Sequence, residues 1–169
     1  MTQRAFIELI KPFQDKLYRL AKRLLISEDE AQDATQEIYL KLWQKRRELP
    51  TYNSVEALAV TMTKNYCLDR LKSKQAGNLS IVHQNFKDES GDTAKRVEIQ
   101  DQISLVHQLI DKLPETQRII IQLRDVEQFE LKEIEQILDM KPTAVRVNLS
   151  RARKTIKENL IKQLSHGIR

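Results

Sequence analysis

The chain has 169 residues, which is enough for one domain or two small ones. Charged residues make up 31% and hydrophobic residues 40% of the chain, a balance that fits a soluble helical protein. Only 3 Gly and 4 Pro argue against a turn-rich β protein. The net charge of +5 permits a polyanionic partner without requiring one.

A single cysteine, Cys67, excludes an internal disulfide and indicates a reducing compartment. Residues 1–12 mix charged and apolar side chains, unlike a secretory signal. No uninterrupted apolar run approaches the ~20 residues that cross a bilayer. We therefore expect a cytoplasmic protein without membrane insertion.

The first part of the chain predicts three amphipathic helices. Apolar residues step by three and four along 6–24, which predicts one long helix. Ser27, followed three residues later by a glutamate, has the spacing of a capping box and predicts a second helix over 28–47. A polar segment containing proline then breaks the pattern. Ser54 is placed to cap a third helix that reaches about residue 74.

The stretch 75–96 differs in character from the rest of the chain. It contains two of the three glycines, several polar residues and no sustained period, which predicts a partly disordered or loosely docked linker. Helical period returns at Ile99 and continues beyond it. The predicted organisation is all-α, with helical domains at 1–74 and 97–169 joined by this linker.

A helix-turn-helix is the most informative pattern. Residues 131–138 predict a short helix, 139–141 a turn, and the segment from Pro142 a longer basic helix. The apolar residues of this second helix recur at helical spacing and should face inward: Val145, Leu149, Ala152 and Ile156. Polar and basic residues fall on another face. Such a helix buries one side and presents the other to a DNA major groove.

The candidate DNA contacts on this outward face are Thr143, Arg146, Val147, Ser150, Arg151 and Lys154. Arg146 and Arg151 are the best candidates for base contacts, because an arginine can donate two hydrogen bonds to guanine. Lys154 and Arg153 are expected to meet phosphates, which add salt-sensitive affinity without sequence information. The alternative is a merely solvated face of an amphipathic helix. The preceding helix and three-residue turn favour DNA contact.

The second helix begins with acidic residues 28–30, which the helix dipole favours in a first turn. Asp33 and Glu37 lie further along, beside Gln36 and Leu40, and this mixed surface suits a protein partner. A carboxylate metal site is a poor alternative, because no histidine follows at ligand spacing. We predict no metal and no cofactor.

The third helix carries Asn65, Asp69 and Lys72 at i, i+4 and i+7, with Tyr66 nearby. A polar and basic face of this kind suits a single-stranded nucleic acid. The alternative is a basic helix C-terminus that the dipole stabilises without any ligand.

Together these motifs resemble a bacterial sigma factor of the sigma-70 family, in its extracytoplasmic-function (ECF) group. Residues 29–43 resemble region 2.2, residues 64–72 resemble regions 2.3 to 2.4, and 113–118 with 145–153 resemble region 4. The order and spacing of the motifs are more specific than any one of them. The resemblance implies a protein that binds core RNA polymerase, directs it to promoters and helps to open the DNA.

The resemblance also implies roles for individual residues. The implied contacts to the clamp helices of the polymerase largest subunit are Asp33, Gln36, Glu37 and Leu40. The implied contacts to the melted minus-ten strand are Asn65, Asp69 and Lys72, with a flipped base held by the loop 46–54. The implied readers of the duplex minus-thirty-five element are Arg146, Val147, Ser150 and Arg151. An anti-sigma factor that wedges between the two domains is a further implied partner.

Two other classes of protein remain as alternatives. A stand-alone helix-turn-helix regulator would bind duplex DNA alone, as a dimer on a palindrome. An enzyme is the other class, but His83, His107 and His166 lie in no motif, and no phosphate-binding loop or nucleophile motif occurs. We therefore predict no catalytic residues.

Overall fold

The computed structural model describes residues 1–76 and 94–166. The α-helices are Gln3–Ile10 (α1), Gln14–Leu25 (α2), Glu28–Gln44 (α3), Val55–Ala76 (α4), Ala94–Asp111 (α5), Glu115–Ile121 (α6), Leu131–Leu138 (α7) and Pro142–His166 (α8). A 3-10 turn forms at Leu49–Thr51 and a π-helical turn at Gln122–Val126. No strand occurs in these two ranges, and the predicted all-α fold is confirmed.

The first predicted helix is in fact two helices, so the prediction of one long helix over 6–24 was wrong. α1 ends before Pro12, which has no N–H to donate to the preceding turn and whose ring crowds a carbonyl there. The apolar periodicity does not show this break, because Ile10, Phe13 and Leu17 are all buried in the same core. The amphipathic pattern therefore continues across a break of only a few residues.

The other helix ends follow local signals. The Ser27 hydroxyl accepts a hydrogen bond from the N–H three residues on, at 3.4 Å, and the Ser54 hydroxyl does the same at 3.1 Å. Asp139 adopts a left-handed conformation with φ 50°, which ends α7. Pro142 opens α8, where a missing N–H is not needed. The bounds of α7 and α8 match the predicted helix-turn-helix.

Helices α1 to α4 form the N-terminal half of the molecule and α5 to α8 the C-terminal half. The buried side chains of the two halves form one continuous cluster, and burying each large apolar side chain stabilises the fold by roughly 1.5–3 kcal/mol. The halves meet where α2 packs on α6 and α4 packs on α7. None of the described helices is long and apolar enough to cross a bilayer.

The predicted linker, 75–96, lies mostly outside the described residues. Its two ends are helical, because α4 continues to Ala76 and α5 already begins at Ala94. The domain limits 1–74 and 97–169 stay a prediction.

Candidate nucleic-acid and protein interfaces

The inner face of α8 is buried as predicted. Val145 and Ala152 are fully buried, Leu149 is nearly so, and Ile156 packs at the edge of the core. α8 packs against α5, α6 and α7. Packing on three helices fixes the orientation of α8, so its opposite face points to solvent.

All six predicted minus-thirty-five residues lie on that solvent face and are exposed: Thr143, Arg146, Val147, Ser150, Arg151 and Lys154. Val147 is 39% exposed, which leaves an apolar side chain among the polar ones. Within the described ranges no carboxylate lies within 4 Å of the guanidinium group of Arg146 or Arg151. Both guanidinium groups can therefore donate paired hydrogen bonds to an incoming acceptor.

Arg153, predicted to meet phosphate, instead has a carboxylate partner. Its Nε and Nη2 donate to the two carboxylate oxygens of Asp125 at 3.0 and 2.5 Å. Donating these hydrogen bonds to the Asp125 carboxylate raises the pKa of Arg153. This bidentate pair joins α8 to the π-helical turn, so Arg153 is not a free cation. Its contact with phosphate stays a prediction.

The predicted polymerase-binding residues share one face of α3. Asp33, Gln36 and Leu40 are exposed, and Leu40 is 56% exposed. Glu37 is half-buried and its carboxylate lies 3.6 Å from Lys41 Nζ, one turn on. The opposite face of α3 is buried in the core. The exposed face thus combines two carboxylates, an amide and one apolar side chain.

Glu30 joins the start of α3 to the end of α4. The predicted capping box forms only in part, because the Glu30 carboxylate does not return to its own helix start but pairs with Arg70 at 3.3 Å and with Lys74. Burial acts to raise the pKa of Glu30, but the two cations outweigh it and lower the pKa below its usual value.

The predicted minus-ten residues Asn65, Asp69 and Lys72 are all exposed along one face of α4. Tyr66, which is close to them in the sequence, is half-buried. The Lys41 ammonium lies 5.0 Å from the centroid of its ring, and Arg70 donates to its hydroxyl at 3.5 Å. One face of this ring is therefore already covered.

Cys67 is fully buried on the inner side of α4, and burial raises the pKa of its thiol to about 12. A neutral, enclosed thiol of this kind acts as a small packing residue.

The loop 46–54 lies against the end of α3. The Arg46 guanidinium stacks 4.4 Å from the centroid of the Trp43 ring, and Leu49 is buried beneath the 3-10 turn. Tyr52 remains 38% exposed at the tip. The loop is thus anchored at its start and presents one aromatic ring to solvent.

One set of polar contacts was not predicted. Arg19 and Arg23 of α2 donate hydrogen bonds to side chains of the C-terminal half, Arg19 to Glu127 and Arg23 to Gln122. Lys16, Arg19 and Arg23 are spaced by three and four residues, so a basic face on α2 was visible in the sequence. No sequence pattern identified the residues that this basic face contacts.

Two family profiles match the chain. The one described as "Sigma-70 region 2" matches residues 9–77, and "Sigma-70, region 4" matches residues 103–156. The two matches follow the N-terminal and C-terminal halves of the fold, and the stretch between them contains the residues that the structure does not describe.

Curated relatives are similar over nearly the whole chain. The RNA polymerase sigma-H factor of Pseudomonas aeruginosa is 28% identical over 170 residues, which covers 94% of this chain and 87% of that protein. The ECF RNA polymerase sigma-E factor of Escherichia coli strain K12 is 28% identical over 166 residues, covering 91% and 85%.

Two solved structures share the fold. One is the sigma factor RpoE in complex with the anti-sigma factor NepR from Bartonella quintana, with a TM-score of 0.77, 18% identity and coverage of 94% of this chain and 98% of that one. The other is CnrH in complex with the cytosolic domain of CnrY, with a TM-score of 0.67, 20% identity and coverage of 95% and 90%.

Proposed function

Because this chain belongs to the sigma-70 family of bacterial RNA polymerase sigma factors, in its ECF group, we propose that it reads the minus-thirty-five element as duplex and the minus-ten element as melted strand. Its role in promoter-directed transcription initiation, with core RNA polymerase and promoter DNA as partners, follows from the family. In this proposal the polymerase catalyses bond formation. The chain acts in the cytoplasm, where polymerase and DNA are.

The two-sided character of α8 carries this proposal. One side is buried in the core through Val145 and Ala152. The other side presents Arg146 and Arg151, which have no carboxylate neighbour among the described residues. An α-helix with this arrangement fits the major groove, where each bidentate arginine–guanine pair contributes about 1–3 kcal/mol of discrimination.

A single strand at the minus-ten element would lie along α4. The face formed by Asn65, Asp69 and Lys72 offers hydrogen-bonding groups and a cation to unpaired bases and phosphates. Extruding a base from the duplex costs a few kcal/mol of stacking, which the loop 46–54 has to offset. The exposed ring of Tyr52 can contribute to this by stacking.

The exposed face of α3 would dock on the clamp helices of the polymerase largest subunit. Leu40 supplies an apolar contact, and Asp33 and Glu37 supply negative charge for basic groups of the partner. An anti-sigma factor is a further proposed partner, because one structural neighbour, RpoE, was solved with the anti-sigma factor NepR bound. It would wedge between the two halves.

Transcription with purified core polymerase on a library of promoter sequences tests the proposal. We expect initiation from templates that share an asymmetric two-part motif. Arg146→Ala with Arg151→Ala should abolish selection of the upstream part, whereas Lys112→Ala, which removes an exposed cation outside α8, should leave it unchanged. Absence of specific initiation from every template would contradict the proposed function.

A further inference from the structure

A polar groove lies between α2 and α3, within the N-terminal half of the molecule. α2 lines it with Gln14, Asp15 and Tyr18, and α3 lines it with Thr35, Gln36 and Tyr39. Its volume is about 330 Å³. Ligand pockets range from roughly 300 to 1,000 Å³, so this groove has room for one side chain and not for a large cofactor.

The groove adjoins the exposed face of α3. Gln36 belongs both to the groove and to that face, and Tyr39 of the groove directly precedes Leu40 of the face. Successive residues are about 100° apart around an α-helix, so the two rows of side chains are neighbours. A protein that lies on the exposed face of α3 therefore reaches the mouth of the groove.

The charge of the groove is negative. Asp15 is the only charged residue among the described residues that line it. The two cations nearest to Asp15 along α2 have other partners, since Lys16 pairs with Glu56 at 2.7 Å and Arg19 pairs with Glu127 at 2.6 Å. In the described parts of the chain no cation lies within 4 Å of the Asp15 carboxylate, so both of its oxygens can accept from a partner.

Two aromatic rings line opposite walls of the groove. Tyr18 and Tyr39 are both half-buried, and the Tyr39 hydroxyl donates to the Gln14 carbonyl oxygen at 3.4 Å, which ties its ring to the start of α2. Burial and the Asp15 charge raise the pKa of Tyr39, so its phenol stays neutral. Neutral aromatic rings beside a carboxylate attract a cation, because the faces of the rings are also electronegative.

We propose that this groove binds one arginine side chain of the polymerase surface that docks on α3, so that the polymerase interface extends onto α2. This inference rests on the proposed function. A guanidinium group donates two parallel hydrogen bonds to a carboxylate such as Asp15, and its plane stacks on an aromatic ring. The Gln36 side-chain oxygen and the Thr35 hydroxyl, which itself donates to Ala31, have lone pairs for the remaining N–H groups.

Other side chains suit the groove less well. An apolar side chain would cover the Asp15 carboxylate without pairing it, and an unpaired buried charge is strongly destabilising. A carboxylate would add repulsion to that cost. A lysine would pair with Asp15 as a point charge, but it has no planar group to stack on Tyr18 or Tyr39. Docking also excludes water from the groove, which strengthens an arginine–carboxylate pair.

A titration of the free protein with N-acetyl-arginine amide tests the groove without polymerase. We expect the ring resonances of Tyr18 and Tyr39 to shift in two-dimensional NMR spectra, because the guanidinium group lies against them. N-acetyl-glutamine amide, which is neutral, should leave them in place, and Asp15→Asn should abolish the shifts caused by the arginine compound. Unmoved rings, or equal shifts with both compounds, would overturn the proposal.

The affinity of the full chain for core polymerase tests the partner. Asp15→Asn should weaken binding about tenfold or more, because it leaves a desolvated arginine without its counter-charge. Tyr39→Leu should also weaken it, whereas Tyr39→Phe, which keeps the ring, should bind like the wild type. Glu8→Gln, which removes an exposed carboxylate from α1, should have no effect. Circular dichroism checks that each variant keeps its helicity.

A double-mutant cycle identifies the arginine. Each arginine of the polymerase clamp helices is replaced by alanine in turn, and for one of them Asp15→Asn should cause no additional loss of affinity. Losses that add for every arginine, or an unchanged affinity of the folded Asp15→Asn variant, would refute the proposal. If the wild-type chain does not bind core polymerase, the proposed function fails instead, and the arginine titration still decides whether the groove accepts a guanidinium group.

Discussion

Whether an arginine of this chain can read DNA depends on whether a carboxylate already binds its guanidinium group. Arg153 is exposed on α8 but pairs with Asp125, and Arg19 pairs with Glu127. Arg146 and Arg151 have no such neighbour in the described parts of the chain. Residue type and helical spacing identify all four arginines as surface cations. Only the tertiary contacts distinguish the two proposed to bind DNA from the two that pair with carboxylates.

Replacing Arg151 by alanine should weaken promoter binding and relax the preference at one base of the upstream element. The loss of a bidentate contact to guanine corresponds to about 1–3 kcal/mol of discrimination. Binding of the polymerase complex to the wild-type site and to its single-base variants measures both effects. Equal weakening on all sequences would instead make Arg151 a phosphate contact.

Arg153→Ala provides the comparison on the same helix. Its partner Asp125 belongs to the π-helical turn, so we expect a lower free energy of unfolding and an unchanged order of base preference. Urea denaturation and the same binding series distinguish the two variants. A changed base preference in Arg153→Ala would show that its ion pair opens to let it bind DNA.

Glu30 should make stability depend on pH in the acidic range. Its folded-state pKa is lowered, so the unfolded chain binds the proton more readily, and the stabilisation is lost as pH falls through the folded pKa. Glu30→Gln should lower the free energy of unfolding at pH 7 by about 1 kcal/mol and flatten its decline below pH ~4.5. Urea denaturation between pH 3 and 7, on the order of one measurement per half pH unit, tests this.

Glu28→Gln is the matched control. Glu28 lies two residues before Glu30 and pairs with Lys22 on the exposed surface. Exposed pairs contribute little, so its effect should stay within a few tenths of a kcal/mol. If the two variants behave alike, the junction between α3 and α4 does not depend on Glu30.

At the scale of elements, the helix-turn-helix was predictable because its boundaries are local. Asp139 can adopt the left-handed conformation that ends α7, Pro142 is suited to a first turn, and the apolar period of α8 marks its buried side. The exposed faces of α3 and α4 were equally visible, since i, i+3, i+4 and i+7 spacing needs no tertiary information.

Features that depend on tertiary contacts were not predictable. Periodicity cannot distinguish one helix from two that share a core, so the break at Pro12 was missed. The π-helical turn follows an unbroken apolar run, and only its packing reveals the extra residue. The partners of Arg19 and Arg23 lie 88 to 108 residues away, and no local pattern connects them.

The exposed face of α3 leads to a prediction for the whole element. Asp33→Arg with Glu37→Arg reverses two charges on a solvent face, so the fold should persist while binding to core polymerase is lost. Co-elution with core enzyme measures binding, and circular dichroism measures folding. Glu8→Arg with Glu48→Arg, also exposed in the N-terminal half, should co-elute normally. Normal co-elution of the α3 variant would refute the assignment of this face.

At the scale of the molecule, the two proposed DNA-binding faces differ in character and belong to one chain. The face of α8 suits paired DNA, and that of α4 suits single-stranded DNA. A dimeric regulator would need two copies of one such face related by symmetry, so that its site is a palindrome. The arrangement seen here instead predicts an asymmetric site with one part paired and the other open.

This asymmetry distinguishes the sigma factor from a stand-alone regulator. We expect the chain alone to give no footprint on a promoter. With core polymerase it should protect an asymmetric site in which permanganate attacks thymines around the minus-ten element but not those around the minus-thirty-five element. Asn65→Ala with Lys72→Ala should reduce the permanganate signal and leave upstream protection in place, because α8 is unaltered. A footprint on a palindrome without polymerase would favour the regulator, since duplex binding by a symmetric dimer needs no second protein and no melting.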